Sequence, residues 1–273
     1  MRTLYVSDLD GTLLNRQICL SNNTIQTINQ LIAEGMLFTY ATARSYETAK
    51  LVTRGMTSNM PIIVYNGACI LNAKTKEVLY SSGFEVQQKQ FISDLLKSHQ
   101  LNPLVYAYQN GVEKVSWVQG RETPGQLYYL EQRKGDRRLN PLVDETTLYQ
   151  GDVFYFTCIG EQEDLKPIYE LLQNHSEYRC TLQQELYRPE YWCEIMPKQT
   201  TKANAILKLK DLCGCDKVIC FGDAINDIPM FSIADESYAV ENAVEELKAV
   251  ATGVIGQNQD DGVAKWLKQH WKK

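Results

Sequence analysis

Two rhythms of apolar residues alternate along the N-terminal part of the chain. The runs TLYVS, MLFTYA and PIIVY are short, rich in β-formers and spaced as buried strands. Between the first two, Ile25, Ile28, Leu31 and Ile32 recur at helical spacing over 23–34, and Gly35 supplies a stop. SYETAKLVTR predicts a second helix ended by Gly55, and the third strand runs into Asn66 and Gly67. Strands that alternate with helices imply right-handed crossovers and a parallel sheet. The following ACILNAKTKEVLYSS reads as a short hairpin leading away from that sheet.

From about Gly83 the rhythm changes. A helix is predicted over 86–99, then strands at LVYAY, EKVSWV and DVFYFTCI, a helix over 164–172 and further short strands, the pattern of an α+β unit. Residues 121–138 mix charges with Gly125 and Gly135 and predict surface loop and helix. Tyr106, Tyr108, Trp117, Tyr128, Tyr129, Phe154, Tyr155 and Phe156 make this part dense in aromatics, as expected for the packed face of an antiparallel sheet rather than a ligand platform. After Trp192 the first rhythm returns: CEIM as a strand, a helix over 201–212, KVICFGD as a buried strand, a helical turn through Pro229, SYAV as a strand and a terminal helix over 263–271. The expected fold is therefore α/β, a parallel-sheet core built from 1–82 and 191–273 with an α+β insert at 83–190.

Composition narrows the function classes. The chain has 273 residues, 44% hydrophobic and 22% charged, which is the profile of a globular protein able to bury a core. Its net charge of −5, with no dense Lys/Arg run, argues against nucleic acid as a partner. No segment approaches the roughly 18 consecutive apolar residues of a membrane span, and the N-terminus enters a polar motif instead of a signal-type apolar core, so a cytoplasmic location away from membranes is expected. The eight cysteines form no paired CxxC pattern, which predicts buried reduced thiols and no zinc.

Four predicted element ends carry the residues with chemical potential: DLDGT at 8–12, ATARS at 41–45, TTKA at 200–203 and GDAIND at 222–227. Asp8 follows LYV with Ser7 between, at the carboxyl end of a strand, where open α/β sheets place their ligands. Asp10 lies in the turn that follows, and Gly11 lets backbone approach an anion with no Cβ between. A phosphate monoester is a dianion that repels nucleophiles, so its cleavage needs a cation, an in-line nucleophile and a proton for the leaving group. Asp8 is the candidate nucleophile and Asp10 the candidate acid and base. Magnesium takes hard oxygen ligands and keeps waters, which suits Asp8, the Asp10 carbonyl and Asp223, with Asp227 holding a metal-bound water. Thr42, with the adjacent backbone N–H at Ala43, offers donors to a phosphoryl oxygen, and Lys202 adds a point charge. Asn226 would donate to the phosphoryl group or orient Asp8.

Each residue alone has a plainer explanation: a solvated DxD turn, a strand-end hydroxyl, a surface lysine on a helix capped by Thr200 or Thr201, an acidic cluster at a helix N-terminus. Their joint occurrence, each at an element end, favours chemistry. Together DLDGT, ATAR, NGA, PKQTTKA, GDAIND and DGVA resemble the haloacid-dehalogenase superfamily, in its Cof-type sugar-phosphatase branch with a large α/β cap. The resemblance implies a Rossmann-like core, the insert as a cap that sets specificity, a magnesium ion and an aspartyl phosphate at Asp8. It further implies an acid/base at Asp10, phosphate contacts from Thr42 and Lys202, and metal ligation by Asp223 with Asp227. The activity implied is magnesium-dependent hydrolysis of small phosphorylated metabolites, sugar phosphates first. A phosphomutase with the same chemistry, or a phospho-accepting regulatory protein, would share these motifs. Arg44, Arg188, Tyr191 and Trp192 are candidate substrate contacts. Where the branch has TGR and KG, this chain has Thr42-Ala43-Arg44 and Lys202-Ala203, a change that negative φ at both alanines would accommodate.

Overall fold

The computed structural model describes residues 1–185 and 188–272. Two compact units divide the chain: Met1–Tyr80 with Thr201–Lys273, and Ser81–Thr200.

The first unit opens with β1 (Thr3–Ser7), α1 (Asn22–Ala33), β2 (Leu37–Tyr40), α2 (Tyr46–Val52), β3 (Ile62–Val64), β4 (Cys69–Leu71) and β5 (Val78–Ser81). The second follows with α3 (Val86–Ser98), β6 (Leu104–Gln109), β7 (Val112–Val118), α4 (Pro124–Glu131), β8 (Leu139–Leu142), β9 (Asp152–Gly160), α5 (Gln162–Gln173), β10 (Tyr178–Gln184) and β11 (Tyr191–Pro197). The chain then completes the first unit with α6 (Lys202–Cys213), β12 (Lys217–Gly222), α7 (Ile228–Ile233), β13 (Glu236–Val240), α8 (Glu245–Lys248), β14 (Gly253–Ile255) and α9 (Gly262–His270).

In the first unit five parallel strands run in the order β14-β13-β12-β1-β2. From β1 the chain leaves toward β2 and later returns on the other side through β12, β13 and β14. The order thus reverses between β1 and β12, and a crevice for ligands opens at the carboxyl ends of such a pair. Serine caps start the early helices: Ser21 accepts from Thr24 N in α1 and Ser45 from Thr48 N in α2. The third predicted strand departs from expectation. It meets the parallel sheet through an isolated bridge from Ala41 to Ile63, then pairs antiparallel with β4 in a three-stranded sheet β3-β4-β5. The hairpin foreseen over 68–82 is the outer part of that sheet.

The second unit is a six-stranded sheet in the order β10-β11-β9-β6-β7-β8, antiparallel except where β8 joins β7. Its hydrophobic cluster includes Phe84, Ile92, Leu96, Val105, Phe156, Leu165 and Ile168, drawn from α3, α5 and the sheet. The aromatics behave as sheet packing: Tyr106, Tyr108, Trp117, Tyr129, Phe154, Tyr155 and Phe156 are buried, whereas Tyr128 is exposed. The predicted return to the core at 191 is corrected. Cys193-Glu194-Ile195-Met196 lies in β11, paired antiparallel with β9 and β10, so the junction falls at Thr201. An apolar alternation fits either sheet, and the pairing partners decide between them.

Candidate active site

Asp8 extends β1 by one residue and donates its backbone N–H to the Phe221 carbonyl of the neighbouring β12 at 2.9 Å. Its carboxylate, Asp223 just past the end of β12 and Asp227 in the turn that follows bring one oxygen each within 4.8 Å of one another. Asp227 is fully buried and shaped by its own turn, because Oδ2 accepts from the N–H groups of Asp223 (3.0 Å) and Ala224 (3.1 Å). Asp223 accepts from the Thr12 hydroxyl at 2.7 Å. Lys202 is no surface residue: it is 2% exposed and its Nζ donates to Asp8 Oδ1 at 2.5 Å and Asp227 Oδ1 at 2.7 Å. It stands in the first turn of α6, capped by Thr201, which accepts from Asn204 N. A cation there opposes the helix dipole, so the two carboxylates are what make the position tolerable.

Three carboxylates against one ammonium leave two negative charges uncompensated. Burial pushes the Asp8 carboxyl up to about 7, with Lys202 pulling it down and Asp227 pushing it further up. Asp223 is raised to about 6, first by burial, with Thr12 opposing and Asp227 reinforcing. Burial alone would lower Lys202, yet it is raised because Asp8 and Asp227 flank its ammonium. An all-oxygen donor set short of two positive charges suits a hard divalent cation such as magnesium. Asp8, Asp223 and Asp227 are the residues that could hold it.

The other expected residues divide. Thr42 is fully buried and tied to β3 through its N–H on the Ile63 carbonyl, while its hydroxyl accepts from Arg44 N at 3.1 Å. Ala43 is exposed, and neither it nor Ala203 has positive φ, so the two alanines are accommodated. The Asp10 carboxylate stands outside the acidic cluster, gripped on both oxygens by Arg44 through Nε (2.7 Å) and a terminal nitrogen (2.6 Å). Arg44 therefore engages Asp10 first, which its position in the sequence did not reveal. Asn226 donates to Asn66 Oδ1 at 3.5 Å rather than to Asp8. In the second unit Arg188 pairs with Glu190 and covers the Tyr128 ring at 4.1 Å, Tyr191 donates its hydroxyl to Gln184, and Trp192 meets Tyr129 edge-on.

Sequence reasoning missed Thr12, although it quoted the motif containing it, and Asn66, which joins a run of left-handed residues from Tyr65 to Gly67. A Cβ on Gly67 would collide with the Thr201 carbonyl, so this turn lies against the start of α6. Gly11, at φ +78°, is similarly confined, since a Cβ there would fall 2.2 Å from an oxygen of the Asp223 carboxylate. Gly11→Ala should cost about 1–3 kcal/mol of stability from strain and displace Asp223. Urea unfolding together with magnesium titration measures both effects, and an unchanged midpoint and affinity would contradict this geometry.

Sequence and structure comparisons agree on kinship. The pattern of the haloacid dehalogenase-like hydrolases matches residues 5–267. A 5-amino-6-(5-phospho-D-ribitylamino)uracil phosphatase of Bacillus subtilis is 24% identical over 279 residues, covering 98% of this chain and 97% of that protein. An HMP-PP phosphatase of Yersinia pseudotuberculosis is 26% identical over 283 residues, covering 99% and 96%. The crystal structure of a haloacid dehalogenase-like hydrolase from Bacteroides thetaiotaomicron shares the fold with a TM-score of 0.76 at 23% identity, covering 99% of this chain and 100% of that one. The chain belongs to the haloacid dehalogenase-like hydrolase family and is one of its phosphatases.

Proposed function

We propose that this phosphatase hydrolyses monoesters of small phosphorylated metabolites, sugar and sugar-alcohol phosphates first, through a phosphoryl group carried on Asp8. The observation that carries the reading is the buried Asp8 carboxylate at the carboxyl end of β1, bonded to Lys202 and flanked by Asp223 and Asp227. An Asp8 oxygen bonds to phosphorus while the ester P–O bond breaks, and its electron pair leaves on the alcohol oxygen, which takes a proton from Asp10. Water then attacks phosphorus and gives its proton to Asp10, the P–O bond to Asp8 breaks, and phosphate leaves. Both Asp10 oxygens accept from Arg44, so proton transfer requires one of them to be released, and the phosphoryl dianion competes for that guanidinium. Lys202, with Thr42 and the Ala43 N–H, neutralises and orients the phosphoryl oxygens. Asp8, the Asp10 carbonyl and Asp223, with Asp227 beside them, would hold a magnesium ion, which would supply charge neutralisation there. The inserted unit serves as the cap that selects the organic part of the substrate. A relative named for a 5-phospho-D-ribityl compound supports sugar-alcohol phosphates as the class to test.

A panel of sugar phosphates assayed for free phosphate tests the activity. Release that stops with EDTA supports the reading. An isomeric sugar phosphate without free phosphate would show a mutase instead, and no turnover on any alkyl phosphate would refute the substrate class.

The raised carboxyls predict a pH dependence. With folded values of about 7 for Asp8 and about 6 for Asp223, the folded protein keeps protons that the unfolded chain gives up near pH 4. The metal-free protein therefore loses stability from this site as pH rises from about 4 to about 7. Magnesium competes with those protons, so its stabilising effect grows over the same window. The rise in melting temperature on adding magnesium should be larger at pH 8 than at pH 5, and equal rises would refute the assignment of these carboxylates as ligands.

A further inference from the structure

Residues after β13 grip the loop after β1 through their side chains, and of these Asn242, Asn258 and Gln259 lie outside the quoted motifs. Asn242 donates Nδ2 to the Gly11 carbonyl at 2.8 Å, and its Oδ1 accepts from the Asn258 N–H at 3.0 Å. Asn258 in turn donates Nδ2 to the Leu14 carbonyl at 2.8 Å. Further along, the Arg16 N–H reaches Gln259 Oε1 at 3.0 Å, and the Ser21 and Thr24 hydroxyls share Asp261 Oδ1 at 2.6 and 2.9 Å.

The gripped loop is the one that carries Asp10 and Thr12. Asp10 (φ −72°, ψ 123°) and Gly11 (φ 78°, ψ −12°) have the dihedrals of the two central residues of a type II turn. That turn needs glycine at its second central position, and glycine has the weakest intrinsic preference for any one conformation. Glycine's own preference therefore does little to fix the peptide plane after Gly11, which is held by the bonds around it, and a tilted plane would shift Thr12 and distort the turn that carries Asp10. Asn242 is the side chain bonded to that carbonyl, and Asn258 fixes the Asn242 amide while holding the same loop three residues on.

We propose that Asn242, backed by Asn258, is a positioning residue for the reaction: it locks the Gly11 carbonyl and so holds Asp10 where it meets the leaving-group oxygen. The inference rests on the reading of Asp10 as proton donor. A misplaced donor slows departure of an alkoxide far more than departure of p-nitrophenolate, which leaves without a proton. A merely structural loss lowers both rates alike.

Asn242→Ala should lower kcat/KM, which reports leaving-group departure and not the later hydrolysis common to both substrates, by about 10- to 100-fold on the fastest sugar phosphate and several-fold less on p-nitrophenyl phosphate. Asn258→Ala should show the same asymmetry with a smaller loss, and it carries the test if Asn242→Ala does not fold. Asp10→Asn is the reference and should show the asymmetry most strongly. Should Asp10→Asn show it while both asparagine variants slow the two substrates equally, the positioning role is overturned and the Asp10 reading stands. Should Asp10→Asn itself slow both equally, the Asp10 reading falls and this inference falls with it.

Discussion

Asp8→Asn should abolish turnover, by about 10⁴-fold or more, while leaving the metal-free protein as stable as before or more so. The amide keeps the shape of the carboxylate and can still accept from Lys202, but it cannot form a bond to phosphorus as an anion. Stability moves the other way because Asp8 is buried in an acidic cluster and its carboxyl is pushed up to about 7, chiefly by burial. Neutralising it removes a charge that the fold holds at a cost. Phosphate release from a sugar phosphate, paired with melting curves in EDTA, reads both effects. An inactive but markedly destabilised variant would assign Asp8 a structural role instead.

Lys202→Met should lose both. Among the described residues the lysine is the one cation bonded directly to Asp8 and Asp227, and both it and Asp227 are almost wholly removed from solvent. Methionine fills the space of the aliphatic stem but leaves two buried carboxylates facing each other, at a cost of about 3–5 kcal/mol for an uncompensated buried charge. Turnover should fall by about 10²- to 10³-fold, because the charge that neutralises the phosphoryl oxygens is gone. Added magnesium should recover part of the stability, since a divalent cation offsets the same carboxylates, and little of the activity. Unfolding in EDTA and in magnesium measures this. A Lys202→Met protein as stable as the parent in EDTA would contradict the ion-pair geometry. The opposite stability effects at Asp8 and Lys202, two partners in one hydrogen bond, separate the chemistry of the site from its architecture.

The carboxylates of this site were legible in the sequence because each follows a strand by a fixed local rule. Asp8 comes after LYV and Asp223 after KVICFG, and strand ends at the reversal between β1 and β12 bring them together. Lys202 was legible by its place at the start of a helix, though its burial was not, because burial depends on two carboxylates distant in the chain. What stayed hidden was set by pairing between remote segments. The stretch at β11 alternates like a core strand, and only its bonds to β9 and β10 assign it to the second unit. Arg44 read as a substrate contact because nothing local indicates that its guanidinium lies on Asp10. Asn242 and Asn258 are lone asparagines beyond a strand, with no spacing to set them apart from turn residues.

The most direct test of the account is to catch the phosphoryl group on its carrier. A turnover mixture with a sugar phosphate, quenched and treated with borohydride, reduces an acyl phosphate to an alcohol, so peptide mass spectrometry should find homoserine in place of aspartate at position 8 only when substrate is present. Unmodified Asp8 in an enzyme that is releasing phosphate, or homoserine at another aspartate, would contradict transfer through Asp8.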